Sequence, residues 1–351
     1  MKRPTQVDVA RIAGVSRATV SFVINDPTDS RVPISEGTRQ RVLKAVDELG
    51  YIPDTRAQAL RSGDTKTIGL IIPDIHNPHF WQLVEGIEDE AQRAGYHILF
   101  SSMHLNVKYG VSIFKDLAGR RIDGLILMGG LLDKSDEAKT TLAQLLKRHL
   151  PIVEMSDRPS QTHDIDCVYS NYREVTREAM RHLFSLQHTR IGFVNGAEPP
   201  ELASDRFEAY QSSLESVSIP FDPGLVVYCG STLEDGYQAA SQLLNHSPRP
   251  TAILAINDLM AMGVLRAAGD QGLNVPKDLS LVSFDDIPIA QYQVPRLTTA
   301  SKEPVLMGSE AVRLVFERIQ NPNQPSQELK ISPRLIIRES TGLAPANRSV
   351  G

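Results

Sequence analysis

Apolar residues follow two different spacings along the chain. Within the first fifty residues they recur every three or four positions, at Val20, Val23 and Ile24 for example, which is typical of amphipathic helices. From residue 67 onward, continuous apolar runs such as TIGLII alternate with longer amphipathic stretches. Such runs indicate strands of a parallel sheet that is covered on both faces. The pattern predicts a small helical unit followed by an α/β unit.

The helical unit carries the signals that start and end three short helices. Thr5 and Asp8 form a capping-box pattern, Ser16 can cap a second helix, and Ser35 can cap a third that ends at Gly50. The side chains predicted to face the core include Val9, Ala10, Ile12, Ala13, Val15, Val20, Val23, Ile24, Val42, Leu43, Val46 and Leu49. The side chains predicted to point away are Arg17, Ala18, Ser21, Phe22 and Asn25. The spacing fits a helix-turn-helix DNA reader and a plain helical bundle equally well.

The α/β unit is predicted to form two lobes, because the stretch 67–342 is long for a single open sheet. Helices are expected at 80–94 and 108–119. Strands are expected at 67–74, 96–101, 123–130, 151–155, 190–194, 251–256 and 279–284.

Charge and composition narrow the function classes. Residues 1–62 hold 10 Lys and Arg against 7 Asp and Glu, whereas the remainder holds 27 against 35. A basic unit on an acidic body suits a polyanion binder. The sequence predicts neither a membrane span nor a signal peptide, so a cytoplasmic protein is expected. Its two cysteines, Cys167 and Cys229, are expected to be reduced thiols.

Polar and aromatic side chains follow the predicted strands of the α/β unit. They are Asp74, Asn77, Phe80, Trp81, Asp157, Arg158, Asn257, Asp258, Asp285 and Asp286. Open α/β sheets bind ligands beyond the carboxyl ends of their strands. Carboxylates, amides and guanidinium groups pair neighbouring hydroxyls, and aromatic rings stack on a sugar ring. Helix capping is the competing interpretation for Asp258 and Asp286, and a surface or dimer contact for Trp81.

Two segments of the first unit match a known family. VDVARIAGVSRATVSFVIN and VPISEGTRQRVLKAVDELGYIPDTRAQALRSG closely resemble the headpiece of the lactose-repressor (LacI/GalR) family of bacterial regulators. Ten residues match its core motif at fixed spacing: Asp8, Val9, Ala10, Ala13, Gly14, Val15, Ser16, Thr19, Val20 and Ser21. The resemblance implies a helix-turn-helix domain at 1–50.

In that family the residues after the capping serine read base edges in the major groove, which implies this role for Arg17, Ala18 and Phe22. Arg17 can form a bidentate pair with guanine, and Ala18 can touch a thymine methyl group. Phe22 departs from the family, because many members carry Arg there. The residues suited to phosphate contacts are Thr5, Ser16, Thr19, Ser21 and Asn25.

YIPDTRAQAL, residues 51–60, resembles the family's hinge helix within a hinge and linker at 51–66. The resemblance implies that Leu60 wedges into the minor groove when two copies meet on DNA, and that Ala57 permits their close approach. A frayed linker helix is the competing interpretation.

The stretch 67–342 resembles the family's effector domain and the related periplasmic ribose-type binding proteins. The implied effector contacts are Asn77, Phe80, Asp157, Arg158, Arg206, Asn257 and Asp285. Lys302 and Glu303 stand where the family usually offers Gln, which suggests a charged or differently oriented ligand. The resemblance further implies one lobe at about 67–161 and 302–326, and another at about 165–299 and 329–342. The tail at 343–351 lacks a tetramerisation helix.

The function predicted from the sequence is a DNA-binding transcriptional regulator. It is expected to be a repressor that binds a pseudo-palindromic operator as a homodimer and responds to a small molecule, a sugar first of all, without a cofactor or metal. A nucleobase or nucleoside effector and a protein co-regulator are alternatives within the family. An α/β enzyme and a sugar-binding transport protein are the alternatives from other classes.

Overall fold

The computed structural model describes residues 4–25, 34–52, 64–128, 130–132, 135–160, 162, 164–196 and 205–345. Its contacts divide the chain into two units, residues 1–66 and 67–351. Ala57 and Leu60 of the predicted hinge helix lie outside the described residues, as does the tail beyond residue 345.

The first unit contains helices α1 (Gln6–Ala13), α2 (Arg17–Asn25) and α3 (Glu36–Leu49). The predicted capping box of α1 is confirmed, because Thr5 and Asp8 each accept a hydrogen bond from the other's backbone N–H. The Ser35 hydroxyl caps α3, and Gly50 ends that helix at φ +58°. These local signals delimit the helices as the sequence predicts.

The core of the first unit differs from the prediction at two positions. Ile12 and Leu43 were predicted to be buried, but they are 46% and 41% exposed. Helix α3 instead buries Val42 and Ala45, with Val46 partly buried against the same cluster. Leu43 lies about 100° around the helix from Val42, outside the stripe that faces α1 and α2. A helix of this length covers the small core with one stripe only.

The second unit contains two six-stranded sheets, each packed against helices. The elements built around its first sheet are β1 (Thr67–Ile72), α4 (Pro78–Arg93), β2 (His97–Ser102), α5 (Val107–Gly119), β3 (Gly124–Met128), α6 (Asp136–Leu146), β4 (Ile152–Ser156), β5 (Asp166–Tyr169), α11 (Pro304–Gln320) and β11 (Glu328–Lys330). The strand order is β11-β5-β4-β3-β1-β2, and all paired strands are parallel. We call this set of elements the first lobe.

The second sheet has the order β12-β10-β9-β8-β6-β7. Its elements are α7 (Tyr172–Ser185), β6 (Ile191–Asn195), α8 (Asp205–Ser216), β7 (Val226–Tyr228), α9 (Leu233–Leu244), β8 (Ala252–Ala255), α10 (Asp258–Asp270), β9 (Ser280–Phe284), β10 (Thr298–Ser301) and β12 (Arg334–Ile336). Only β12 runs antiparallel to its neighbour among the paired strands that the structure describes. We call this set the second lobe. The predicted two-lobed α/β fold is therefore confirmed.

The predicted lobe boundaries need a correction at β5 and β11. The sequence placed 165–169 and 329–330 in the second lobe, but both strands pair within the first sheet. The buried carboxylate of Asp166 in β5 accepts two hydrogen bonds from the Arg318 guanidinium of α11 and one from the backbone N–H of Gln327. These charge-assisted bonds hold both strands beside α11.

The buried strands are flanked by helices that approach one another closely. In the second lobe a Cβ atom added to Gly236 of α9 would lie 2.3 Å from the Met260 carbonyl oxygen of α10, and one added to Gly263 would lie 2.2 Å from the Leu233 carbonyl oxygen. Glycine is therefore required at this crossing because any side chain would meet backbone.

In the part of the chain that is described, no helix is long and apolar enough to cross a membrane.

We predict that Gly236→Ala destabilises the second unit by about 1–3 kcal/mol or more, because the two helix backbones must separate. Urea unfolding followed by the fluorescence of Trp81, the sole tryptophan, measures this. Gly269→Ala is the matched control, because Gly269 lies in α10 with open space around it and should gain up to about 1 kcal/mol in stability. Equal effects of the two substitutions would contradict the packing argument.

Candidate DNA-binding surface and effector site

The first turn of α2 presents the side chains predicted to read DNA. The backbone N–H of Thr19 donates to the Ser16 hydroxyl at 3.1 Å, which caps the helix. Arg17 and Ala18 are exposed directly after this cap, and the Arg17 Nε donates to the Gln6 side chain at 3.4 Å. A capped helix N-terminus with an exposed guanidinium favours an anionic partner.

Other predicted DNA contacts differ in their exposure. The prediction that Ser21 points away from the core is wrong, because Ser21 is 7% exposed and α2 packs against both α1 and α3. Phe22 is half-buried, and the exposed hydroxyl of Thr5 donates to Asp8 at 2.7 Å. Nothing is described of the Asn25 side chain. Helix α2 therefore exposes fewer of its side chains than the sequence predicts.

In the second unit the side chains of both lobes meet at Asp285, directly after β9. The Asn77 amide, which follows β1, donates to Asp285 Oδ2 at 3.2 Å, and the Tyr172 hydroxyl donates to Oδ1 at 2.8 Å. Asn77 also caps α4 by accepting the backbone N–H of His79 at 2.9 Å. Capping sets the orientation of the amide that reaches across to the second lobe. Two residues predicted from different strands are thereby brought together.

The backbone at Asp285 is held in an unusual conformation. Its φ is +104°, and the next residue, Asp286, has φ +52°. The backbone N–H of Asp285 donates to the Ala300 carbonyl at 2.8 Å, and the N–H of Ile287 donates to Asp258 Oδ2 at 2.8 Å. Non-glycine residues adopt such angles at a cost of about 1–3 kcal/mol when surrounding contacts determine them. The loop is thus fixed from the β10 and α10 sides.

Asp258 and Asp286 support this loop, and neither caps a helix with its side chain. The buried Asp258 carboxylate accepts from Thr299 at 2.7 Å as well as from Ile287, and Asp286 pairs with Arg338 at 2.6 Å. The cap of α10 is Asn257. Burial, together with the nearby charge of Asp285, raises the pKa of Asp258 to about 7. The helix-capping interpretation of Asp258 is therefore wrong.

A second connection joins Asp157 of the first lobe to Lys302, which lies in the segment between β10 of the second lobe and α11 of the first. The Lys302 ammonium, which follows β10, lies 2.6 Å from Asp157 Oδ1, which follows β4. Lys302 Nζ and the Arg206 guanidinium carbon each lie 4.0 Å from the centroid of the Tyr172 ring. Aromatic faces attract cations most strongly away from water, and this ring is buried. The Lys302 ammonium, which stands where the family usually has Gln, is therefore already paired with a carboxylate of the protein, that of Asp157.

The ionisation of these groups follows from burial and from the neighbouring charges. The Asp157 carboxyl is half-exposed. Partial desolvation favours its neutral acid, but the charges of Lys302 and Arg206 outweigh this effect and lower its pKa. Burial raises the pKa of Tyr172 well above its ordinary value, so the phenol keeps the proton that it donates to Asp285. Burial lowers the pKa of His79, whose Nδ1 lies 3.8 Å from Asp285 Oδ1. The site therefore holds an ionised Asp157, a protonated Tyr172 phenol and an uncharged His79 imidazole.

The remaining predicted effector residues have other surroundings. The Asn257 side chain forms hydrogen bonds within the protein: it accepts from the Met260 N–H at 2.7 Å and donates to the Ser231 carbonyl at 3.0 Å. Phe80 is half-buried beside His79, with ring centroids 5.4 Å apart, and Arg158 is exposed. Trp81 is largely exposed, and its indole N–H donates to the Ile75 carbonyl at 3.0 Å.

Tyr172 is the main site residue that the sequence analysis missed. It follows β5, a four-residue strand that the periodicity did not predict. No ligand-binding side chain was therefore predicted at the carboxyl end of that strand. The stretch DCVYSNY, with an apolar pair followed by Ser, Asn and Tyr, contained the signal. Lys302 was noted only as a departure from the family.

The chain combines a helix-turn-helix unit with a two-lobed domain. Polar side chains of that domain converge between its lobes. Together these features define a class of protein. It is the class of DNA-binding regulators that carry a small-molecule-binding domain. Comparison with known proteins identifies the family within it. The model of "Bacterial regulatory proteins, lacI family" matches residues 5–54, and that of "Periplasmic binding protein-like domain" matches residues 180–341.

The HTH-type transcriptional regulator DegA of Bacillus subtilis (strain 168) is 33% identical over 97% of this chain and 98% of its own length. The structure of the lac repressor dimer bound to operator and the anti-inducer ONPF has a TM-score of 0.82 at 27% identity, covering 97% of this chain and all of the other. The CelR–cellobiose complex has a TM-score of 0.70 at 28% identity, covering 96% of this chain and all of the other. The chain belongs to the lacI family and is a DNA-binding transcriptional regulator.

The raised pKa of Asp258 predicts a pH-dependent stability. A carboxyl whose pKa is higher in the folded state than the ordinary value near 4 stabilises the fold at low pH, and this contribution disappears as pH rises through about 7. We therefore expect the stability lost in Asp258→Asn to be largest at pH 5 and to shrink towards pH 7.5, as measured by urea unfolding.

Asp278→Asn is the control for this series. Its exposed carboxylate accepts hydrogen bonds from Asn274, which lower its pKa, so the effect of the substitution should stay constant between pH 5 and pH 7.5. An effect of Asp258→Asn that is equally constant would show that the carboxyl is already ionised at pH 5, contrary to the prediction.

Proposed function

We propose that the protein is a repressor that binds a pseudo-palindromic operator as a homodimer, with α2 in the major groove. The exposed first turn of α2 supports this assignment. In the proposal Arg17 pairs with a guanine, Ala18 contacts a thymine methyl group, and Phe22 makes an apolar contact at the edge of the site. Two-fold protein symmetry matches two half-sites of such an operator.

The remaining contacts in the proposal position the protein on the duplex. Hydroxyl and amide groups bind phosphates and fix the register of α2 without reading bases. The proposed phosphate contacts are Thr5, Ser16, Thr19 and Asn25. Leu60 is proposed to wedge into the minor groove, with Ala57 at the approach of the two hinge segments. The resemblance of residues 51–60 to the family's hinge helix supports this part.

We predict that Arg17→Ala raises the operator Kd by roughly 5- to 150-fold, the loss of a bidentate guanine contact of about 1–3 kcal/mol. The probe is a duplex that the wild type selects from a random-sequence pool, and fluorescence anisotropy at fixed salt gives the Kd. Lys44→Ala is the control, because Lys44 is an exposed cation of α3 that pairs with Glu48.

Base preference distinguishes reading from general attraction. The wild type should lose affinity when the contacted guanine is replaced, and Arg17→Ala should be indifferent to that replacement. An Arg17→Ala protein that retains the full preference would remove Arg17 from the reading residues.

We infer that the effector is a carbohydrate that binds between the two lobes. The observation that carries this inference is the convergence of Asn77 and Tyr172 on the Asp285 carboxylate. Carboxylates, an amide and a guanidinium beside an aromatic ring suit a polyhydroxylated molecule. The proposed contacts are Asn77, Phe80, Asp157, Arg158, Arg206 and Asp285, with Asn257 ordering the start of α10. The structural neighbour in complex with cellobiose supports the class of effector.

The proposed switch is a shift between arrangements of the two lobes. The bonds Asn77–Asp285 and Gln82–Asp286 join one lobe to the other, and Lys302–Asp157 joins the crossover segment after β10 to the first lobe. A ligand that competes for these groups binds one arrangement better than another and thereby changes their populations. Operator affinity then depends on effector concentration, with a coupling energy between the two sites.

We predict that Asp285→Ala abolishes the sugar-dependent change in operator affinity, because the carboxylate is proposed both to contact the sugar and to join the two lobes. The variant should still bind operator, since the proposed DNA contacts lie in the first unit. The sugar is the member of a panel of mono- and disaccharides that raises the wild-type unfolding temperature most. Asp222→Ala is the control, because Asp222 pairs with Arg190 away from the lobe junction. A retained sugar response in Asp285→Ala would disqualify the site.

We further infer that the protein acts by binding and not by catalysis, and that it works in the cytoplasm, where operator DNA is found. The similarity to transcriptional regulators supports both inferences. Incubation with the stabilising sugar should return that sugar chemically unchanged, and conversion to a product would overturn the first inference.

A further inference from the structure

Asn195, the last residue of β6, carries a buried amide that has no partner among the residues the structure describes. Its side chain is 0% exposed, and neither its nitrogen nor its oxygen forms a hydrogen bond with any of the described residues. Buried amides normally satisfy both groups, because an unpaired one pays the full cost of leaving water. Nothing in the sequence pattern marked this residue, which ends a strand that is otherwise apolar.

The alternation of side chains along β6 places this amide on the face covered by α8. Phe193, two residues earlier, stacks on Tyr210 of α8 with ring centroids 5.0 Å apart. The Tyr210 hydroxyl donates to the carbonyl of Ile191, two residues earlier again. Asn195 continues this series at the carboxyl end of the strand, where the first turn of α8 carries Arg206.

Backbone contacts bring Arg206 to the same end of the sheet. Arg206 Nη1 donates to the Ile256 carbonyl at 3.2 Å, and the Ile256 N–H donates to the Val194 carbonyl at 3.2 Å. Arg206 Nε is buried and has no hydrogen-bond partner within the described part of the chain. A Cβ atom added to Gly196 would lie 2.5 Å from the end of the Ile256 side chain and 3.0 Å from the Gly230 carbonyl oxygen, so the space beside Asn195 is tightly packed.

We propose that Asn195 and Arg206 form a hydroxyl-binding subsite in the second lobe and that Asn195 is a specificity-determining residue for the effector. The three unpaired groups are one acceptor, the amide oxygen, and two donors, the amide nitrogen and the Arg206 Nε. A hydroxyl both donates and accepts, so neighbouring ring hydroxyls of a sugar match this set. The inference rests on the proposed carbohydrate effector and adds a contact on β6 to those after β1, β4 and β9.

The test compares the full-length wild type with Asn195→Leu, which keeps a similar volume and removes both polar atoms. Because those atoms pair with none of the described residues, the unfolding temperature without ligand should be unchanged or higher. The Kd for the stabilising sugar of a panel that includes ribose and cellobiose should rise about tenfold or more, as measured by calorimetry. Asn195→Ala, which cannot overfill the site, is the second variant and should give the same loss of affinity.

Ser213→Ala is the control, because Ser213 is also buried in the second lobe but its hydroxyl donates to the Ala209 carbonyl at 2.6 Å. It should leave the sugar Kd unchanged. An unfolding temperature of both Asn195 variants lowered by about 3 °C or more with an unchanged Kd would assign the amide to the fold and overturn the proposal. An unchanged Kd at unchanged stability would overturn it too.

The panel also includes adenine, which separates this proposal from the proposed effector class. If the wild type binds adenine and none of the sugars, the carbohydrate assignment fails. The Asn195 variants are then measured with adenine, and an unchanged adenine Kd overturns the subsite while a tenfold rise supports it.

Discussion

The hydrogen bonds to the Asp285 carboxylate are the interaction on which the arrangement of the second unit depends. A buried carboxylate needs donors, and here one comes from Tyr172 and one from Asn77 of the opposite lobe. Asn77 can serve because its other amide atom caps α4. Asp285 can receive both because Asp258 and Ala300 hold its loop at a positive φ. Local capping, backbone strain and contact between lobes therefore meet in one side chain.

The charged groups around Asp285 are balanced within the protein. Lys302, in the crossover after β10, neutralises Asp157, and Arg206 packs on the face of the Tyr172 ring. The sequence left open whether a lysine in the family's Gln position demands a charged or a differently oriented ligand. Because the ammonium already has a carboxylate partner, the position requires no charged ligand. A neutral polyhydroxylated effector can exchange hydrogen bonds with this set without leaving an ion unpaired.

Short sequence signals correctly predicted the helix caps and strand ends, which depend on residues that are close together in the chain. The caps at Thr5 and Ser35 and the strand ends before Asn77, Asp157 and Asp285 were all readable, since they depend on neighbours in the chain. The short strand β5, and with it Tyr172, was missed because four residues carry too little periodicity. Pairings such as Lys302–Asp157, or the unpaired amide of Asn195, depend on residues far apart in sequence. Burial of Ser21 likewise follows from a second packing partner of α2 that spacing alone does not reveal.

The central claim is that occupation of the lobe junction and operator binding are coupled, and reciprocity tests it most directly. The Kd of the wild type for its stabilising sugar is measured with and without saturating operator, and the Kd for operator is measured with and without saturating sugar. Linkage requires the same factor in both comparisons, about 5- to 150-fold for a typical coupling energy. We expect the two factors to be equal and clearly different from one. Sugar affinity that is the same with and without operator would contradict it.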